Sequence, residues 1–148
     1  MDWAYLLNSF EGRIGRKTFW LAMGAVFALN VVAWYVAEQI QGDRLGAIVD
    51  LAFTYPEFAI AAKRAHDRNM PLWLLIAFFT ANGVLDLLDV LGLAGTNEEP
   101  SVLSLFIAVP FTVLGLALLV ELGFRKGTSG PNPYGPDPLA PQRPSPGE

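Results

Sequence analysis

Side chains able to bind an anion occur in three short motifs along this 148-residue chain. Residues 12–20 read GRIGRKTFW, residues 63–67 read KRAHD, and residues 127–138 read GTSGPNPYGPDP. Arginine presents a fork of N–H donors that matches the oxygens of a phosphate or carboxylate. We therefore predict that the motifs form one surface for an anion, a lipid headgroup or a membrane partner. This motif surface consists of Arg13, Arg16, Lys63, Arg64, His66, Asp67, Asn132 and Tyr134.

Two interpretations of the motif surface stay open. In the first, the basic groups surround an anion and Asp67 orients the imidazole of His66. In the second, the basic side chains only mark one side of a membrane, and His66 and Asp67 tie a loop to Asn132 and Tyr134 in the tail. A lipid-modifying enzyme that uses His66 and Asp67 is a third hypothesis.

A second set of polar residues lies inside otherwise apolar stretches. Glu57 falls about 18 Å into its stretch, where a carboxylate is costly unless it is protonated, paired or hydrated. It belongs either to a pathway for a proton, an ion or a small solute, or to hydrogen-bonded contacts between helices in which it pairs with Arg64 or with amides. The predicted intramembrane polar site is Asn30, Asp50, Thr54, Glu57, Asn82 and Thr112.

Composition excludes several classes of function. The chain has no cysteine and one histidine, which rules out thiolate metal sites, iron–sulfur clusters and catalytic thiols, and we predict no metal and no other cofactor. Its isoelectric point near 4.9 disfavours nucleic acid as a partner. No G-x-S-x-G, Walker A or H-E-x-x-H motif is present, so we expect a noncatalytic protein.

The elements that must position these residues are four apolar stretches, which predict an all-α bundle of four transmembrane helices. They cover about residues 18–40, 45–62, 71–92 and 101–124, and each is long enough for a hydrocarbon core of about 30 Å. The second stretch is the weakest, because Asp50, Pro56 and Glu57 interrupt it. Asp86 and Asp89 near the end of the third stretch fall close to the outer interface, where we expect no special role for them.

The basic residues predict the orientation of these helices. Nine of the ten Lys and Arg residues lie before the first stretch, between the second and third, or after the fourth, and only Arg44 lies elsewhere. Because basic residues near span ends stay on the cytoplasmic side, both termini are predicted to be cytoplasmic. This requires an even number of spans, so the second stretch must cross.

The two ends of the chain have distinct predictions. Trp3, Leu6, Leu7 and Phe10 follow Asp2 at the spacing of a short amphipathic helix in the headgroup plane. Residues 127–148 contain four Gly and seven Pro, which predicts an irregular tail. We expect one membrane domain over residues 1–138, including the tail motif 127–138, and a disordered tail over 139–148.

The three motifs resemble those of a family of small bacterial inner-membrane proteins, domain of unknown function 805. Its patterns are G-R-x-x-R-x-x-[FY]-W, R-R-x-H-D and G-x-x-G-x-N-x-[FY]-G-x-x-P, and this chain has Lys63 in place of the first Arg of the second pattern. Where the family usually reads S-G-W-W after the His-Asp pair, the chain reads PLWL at 71–74. The resemblance implies four inner-membrane helices with cytoplasmic ends and no assigned activity.

The expected partners are therefore the phospholipid bilayer, an anionic lipid headgroup, and a second copy of the chain or another membrane protein. Binding through the motif surface is the favoured function. A small solute or ion transporter that uses Glu57 is the alternative, and the sequence leaves open the ligand, the oligomeric state and a duplication of the two helical hairpins.

Overall fold

The computed structural model describes residues 2–41, 43–94 and 101–140, and the regular elements in these ranges are helices. Residues 95–100, between the third and fourth apolar stretches, and residues 141–148 of the tail, including Arg143, lie outside the described residues. The helices are α1 (Trp3–Asn8), α2 (Arg16–Gln41), α3 (Asp43–Asp67), α4 (Trp73–Val90) and α5 (Val102–Leu119), and α5 continues as a π-helical turn over Val120–Phe124.

Four of the helices are long and apolar enough to cross a membrane, which confirms the predicted all-α fold class. They pack in chain order, with α3 between α2 and α4, and α5 against α4. The π-helical turn returns to contact both α2 and α3. As a result, the start of α2, the end of α3 and the segment after α5 meet at one end of the bundle, which we call the basic end.

Close packing is concentrated at the basic end. The hydrophobic core there combines large residues such as Phe19 and Leu75 with alanines of α3, including Ala61 and Ala65, which are almost fully buried. Small side chains let neighbouring backbones approach closely. Outside this core, the buried hydrophobic residues among those described are Ala59, which precedes Ile60 of the core in α3, and Ala37, Ala47 and Leu88. The other end of the bundle is therefore more open.

The end of α3 differs from the prediction. The sequence placed Lys63, Arg64 and Asp67 in a loop after residue 62, but α3 remains helical through Asp67. Lys63 and Arg64 are fully buried, because the ends of other elements supply their hydrogen-bond partners. The positive charges that suggested an exposed loop are thus inside the protein.

The N-terminal helix is shorter than its apolar pattern suggested. Asp2 caps α1 by accepting a hydrogen bond from the Tyr5 N–H at 3.1 Å, and the helix ends at Asn8. Leu6 is buried in the core and therefore does not face a membrane surface. Phe10 lies beyond the helix and makes edge-to-face contacts with Tyr55 and Phe58 of α3. Part of the predicted membrane-facing stripe is used to dock α1 on α3.

Candidate functional site

A buried carboxylate organises the basic end. Oδ1 of Asp67 accepts hydrogen bonds from Nε and Nη2 of Arg13, at 3.1 and 2.9 Å. Oδ2 of the same residue accepts from Nη1 of Arg64. The three side chains are at most 4% exposed. We call Arg13, Arg64 and Asp67 the arginine clamp.

The remaining donors of the clamp bind backbone carbonyls. Arg13 donates to Gly130 O at 2.7 Å and to Thr128 O at 2.6 Å. Arg64 donates to Leu122 O at 2.7 Å and to Arg125 O at 2.6 Å. Carbonyl dipoles therefore offset the second positive charge, which a single carboxylate cannot balance. The clamp joins the start of α2, the end of α3 and the tail.

The tail motif lies across the end of α3 as a strap, defined as residues 127–138. Thr128 donates its N–H to Asp67 O at 2.8 Å, and Asn132 donates its side-chain amide to His66 O at 2.9 Å. A Cβ atom at Gly127 would lie 2.0 Å from Asp67 Oδ2, so only glycine fits at that point. The tie between the His-Asp pair and Asn132 and Tyr134, considered in the sequence analysis, is present.

The histidine contradicts one part of the anion hypothesis. Asp67 does not orient the imidazole, because both of its oxygens bind the clamp arginines. Instead, Nδ1 of His66 lies 3.2 Å from Gly12 O, and its ring stacks on Tyr134 with centroids 3.9 Å apart and an interplanar angle of 7°. His66 therefore links the first and third motifs.

Lys63 points away from the clamp. Its ammonium donates to Ser9 O and lies 5.2 Å from the ring centroid of Tyr5. Burial raises the pKa of the Tyr5 phenol. Lys63 thus fixes α1 to α3, and the structure does not bring it together with Arg16 around one anion.

Arg16 lines a cleft of about 320 Å³. Two clamp residues, Arg64 and Asp67, line it as well. Arg16 donates to Phe124 O at 3.2 Å and is otherwise exposed. Lys126 lines the same cleft, although the sequence analysis used it only to predict orientation. Neither residue forms an ion pair with a carboxylate among the described residues. The cleft is therefore lined by two cationic groups whose charges are not balanced by an ion pair with a described carboxylate.

The strap contributes one acidic residue, Asp137, to the lining of this cleft. Asp137 accepts hydrogen bonds from the N–H groups of Leu139 at 2.9 Å and Gly130 at 3.0 Å. These bonds lower the pKa of the Asp137 carboxyl. Outside the cleft, Glu121 pairs with Arg68 and with Arg125, in both cases at 2.6 Å.

Most of the predicted intramembrane polar site forms one cavity of about 240 Å³. The cavity lies between α2, α3 and α4. Asn30 donates to Asp50 at 2.9 Å, and Asn82 donates to Asp86 at 2.8 Å. The residues that line it are Phe27, Asn30, Asp50, Glu57, Asn82 and Asp86.

Four details differ from the polar-site prediction; three concern Arg64, Thr112 and Asp86, and the fourth concerns Thr54. Arg64 does not bind Glu57. It binds Asp67 and the backbone carbonyls of Leu122 and Arg125, which lie at the end of the last helix. Thr112 donates to Ala108 O in its own helix and does not line the cavity. Asp86 does line it, and its position one turn after Asn82 was the signal that the sequence analysis missed.

Thr54, which was predicted to belong to the polar site, lies outside this cavity. It donates to Asp50 O in its own helix at 3.1 Å and does not line the wall. Within the described ranges no three His, Asp or Glu side chains come together in a way that could hold a metal ion.

Comparisons with known proteins agree with the motif resemblance. A family model described as a protein of unknown function, DUF805, matches residues 7–136. An uncharacterised protein of Escherichia coli, YiiR, occurs in strain K12 and in O157:H7 and is 30% identical over 136 residues, 88% of this chain and 86% of the relative. No solved structure matches the chain significantly. The chain belongs to the DUF805 family.

Proposed function

We propose that this member of the DUF805 family is a noncatalytic protein of the bacterial inner membrane that binds an anionic lipid headgroup at its cytoplasmic end. The positive-inside rule supports this orientation, because nine of the ten basic residues belong to the basic end or its tail. The bacterial relative supports the inner membrane. The cleft between Arg16 and Lys126 is then at the level of the cytoplasmic headgroups.

The observation that carries this proposal is the pairing state of the basic residues. Arg13 and Arg64 are buried and their donors are engaged, which supports a structural role. Arg16 and Lys126 border a cleft of about 320 Å³ and have no carboxylate partner among the described residues. A phosphate group offers the oxygens that these two cations lack.

The arrangement also supports a noncatalytic role. A lipid-modifying mechanism based on the His-Asp pair would need Asp67 to bind and orient the imidazole of His66. Asp67 instead binds two guanidinium groups, and the imidazole is oriented by Gly12 and Tyr134.

The experiment is native mass spectrometry of the full chain with added phosphatidylglycerol, in wild type and in Arg16→Gln, Lys126→Gln and the double variant. Each basic residue near an anionic group contributes about 1 kcal/mol, so the double variant is expected to bind about thirtyfold more weakly. Lys17→Gln is the matched control, since Lys17 is exposed beside Arg16 but does not line the cleft.

Equal binding by wild type and the double variant would contradict the proposal. An equal loss in Lys17→Gln would indicate attraction to the whole surface rather than a site. The masses also distinguish the other expected partners, because a retained second copy or another membrane protein adds a protein mass instead of a lipid mass.

A second candidate, transport of a small solute or ion, rests on the intramembrane cavity. Asp50, Glu57 and Asp86 lie around one space at membrane depth, where carboxylates are costly and usually have a function. Proton or cation flux into liposomes that is lost in Glu57→Gln and kept in Glu38→Gln would support it. Flux that is absent in wild type, or unchanged in Glu57→Gln, would exclude Glu57 as the transporting group.

A further inference from the structure

We propose that a second cavity at the basic end, between α1 and the strap, binds a primary ammonium group. This cavity has a volume of about 600 Å³. It shares no lining residue with the cleft beside Arg16 and Lys126, which we call the phosphate cleft after the proposal above. The walls of the second cavity carry two aromatic rings and several hydrogen-bond acceptors. The residues that carry the argument are Tyr5, Ser9, Glu11, Gly12, His66 and Tyr134.

The contact of His66 with Gly12 shows which ring nitrogen carries the hydrogen. Because Nδ1 lies 3.2 Å from the Gly12 carbonyl oxygen, which can only accept, Nδ1 carries the hydrogen. In the neutral ring, Nε2 is then an acceptor. Nε2 has no hydrogen-bond partner among the described residues, although His66 is only 6% exposed.

The unpaired Nε2 of His66 is partly accessible. No buried side-chain nitrogen or oxygen in the described residues lacks a partner, so the unpaired Nε2 must keep some accessible surface. His66 lines this cavity and not the phosphate cleft. We therefore assign the accessible surface of Nε2 to this cavity, where no side chain of the described residues donates to it.

Glu11 forms another part of the cavity wall. The Glu11 side chain is exposed, while its backbone N–H donates to Ser9 Oγ and its carbonyl accepts from the Tyr5 hydroxyl, both at 3.1 Å. Its carboxylate therefore has no partner among the described residues, and Glu11 lines the same cavity as His66. A primary ammonium has three N–H donors and a positive charge, which suit acceptors and aromatic faces together.

The protein already holds one ammonium with this chemistry. Lys63 Nζ lies against the Tyr5 ring and donates to a backbone carbonyl, that of Ser9. A second cation nearby requires a compensating negative charge, which Glu11 supplies. An ethanolamine lipid headgroup and a free small amine both offer the required group, and the test separates these two sources.

The single histidine makes the test direct. The full chain, labelled with ¹⁵N at histidine and held in detergent micelles, is titrated with ethanolamine hydrochloride and with dihexanoyl phosphatidylethanolamine. We expect a saturable shift of the Nε2 resonance and little change at Nδ1. Tetramethylammonium, which has the charge but no N–H, is expected to leave Nε2 unshifted. Tighter binding of the lipid than of ethanolamine identifies the headgroup as the ligand, and equal binding identifies the free amine group alone.

Glu11→Gln is the decisive variant, because its contacts within the protein are made by the backbone and the fold is kept. Loss of the charged hydrogen bond is expected to weaken binding roughly tenfold. Glu38→Gln, at the far end of α2, is expected to change nothing. Absence of a saturable shift, a hydrogen on Nε2 in the free protein, or equal binding by Glu11→Gln would overturn the proposal. None of these outcomes bears on phosphatidylglycerol binding at Arg16 and Lys126.

Discussion

Arg13 and Asp67 are 54 positions apart in the chain and form a buried ion pair in which two guanidinium nitrogens share one carboxylate oxygen. The other oxygen belongs to Arg64. The carboxylate therefore joins the segment before α2 to the end of α3, and the two arginines extend this contact to the segment after α5 through backbone carbonyls. The positions of the cleft beside Arg16 and Lys126 and of the cavity beside His66 both depend on this pair, since the strap that lines both is bound to Arg13.

Replacing Asp67 with Asn should destabilise the protein more than any other change in the clamp. Two buried guanidinium groups would lose their counter-charge, and breaking a buried pair in this way costs about 3–5 kcal/mol. Arg13→Gln should cost less, because Asp67 and Arg64 would remain as a balanced pair. Thermal unfolding of the detergent-solubilised variants gives the order.

The control for this order is Glu121→Gln. Glu121 pairs with two arginines as well, but its side chain is 21% exposed, so its loss should cost no more than about 1 kcal/mol. Equal losses for Asp67→Asn and Glu121→Gln would mean that the clamp contributes no more than a surface ion pair.

Gly127→Ala should displace the strap from the end of α3. The added methyl group would lie 2.0 Å from Asp67 Oδ2, which cannot move without breaking its bonds to the arginines. We expect a loss of about 1–3 kcal/mol and faster proteolysis within the strap. Gly24→Ala meets no atom within 4 Å and should leave the strap resistant. Equal proteolysis of the two variants would contradict this account.

Tyr134→Ala should free the strap near His66 without unfolding the bundle. The stacked pair contributes about 0.5–1.5 kcal/mol beyond the area that it buries. Tyr134→Phe keeps the ring and should behave as wild type in limited proteolysis. If Tyr134→Phe were cut as fast as Tyr134→Ala, the phenol hydroxyl rather than the stacking would hold the strap.

The sequence predicted the helices well because hydrophobic length and the distribution of charge are local properties. It also predicted that the three motifs meet at one end, since topology alone requires this. It could not predict which partner Asp67 chooses: His66 is adjacent in the chain, whereas Arg13 becomes adjacent only in the folded protein. For the same reason, Lys63 and Arg64 were predicted to lie in an exposed loop. The carbonyls that make their burial possible belong to other segments of the chain.

Acidification should release the strap by protonating Asp137. The N–H groups of Gly130 and Leu139 bind the ionised form of Asp137 and lower its pKa, so the folded strap holds a proton less readily than an unfolded one. The resulting stabilisation is complete above the ordinary aspartate pKa of about 3.9 and is lost as the pH falls below it toward the folded value. Amide NMR shifts of Gly130 and Leu139 should therefore titrate together in this range. In Asp137→Asn, which cannot ionise, both amides should lose this titration, and a titration that persisted there would assign the effect to another carboxylate.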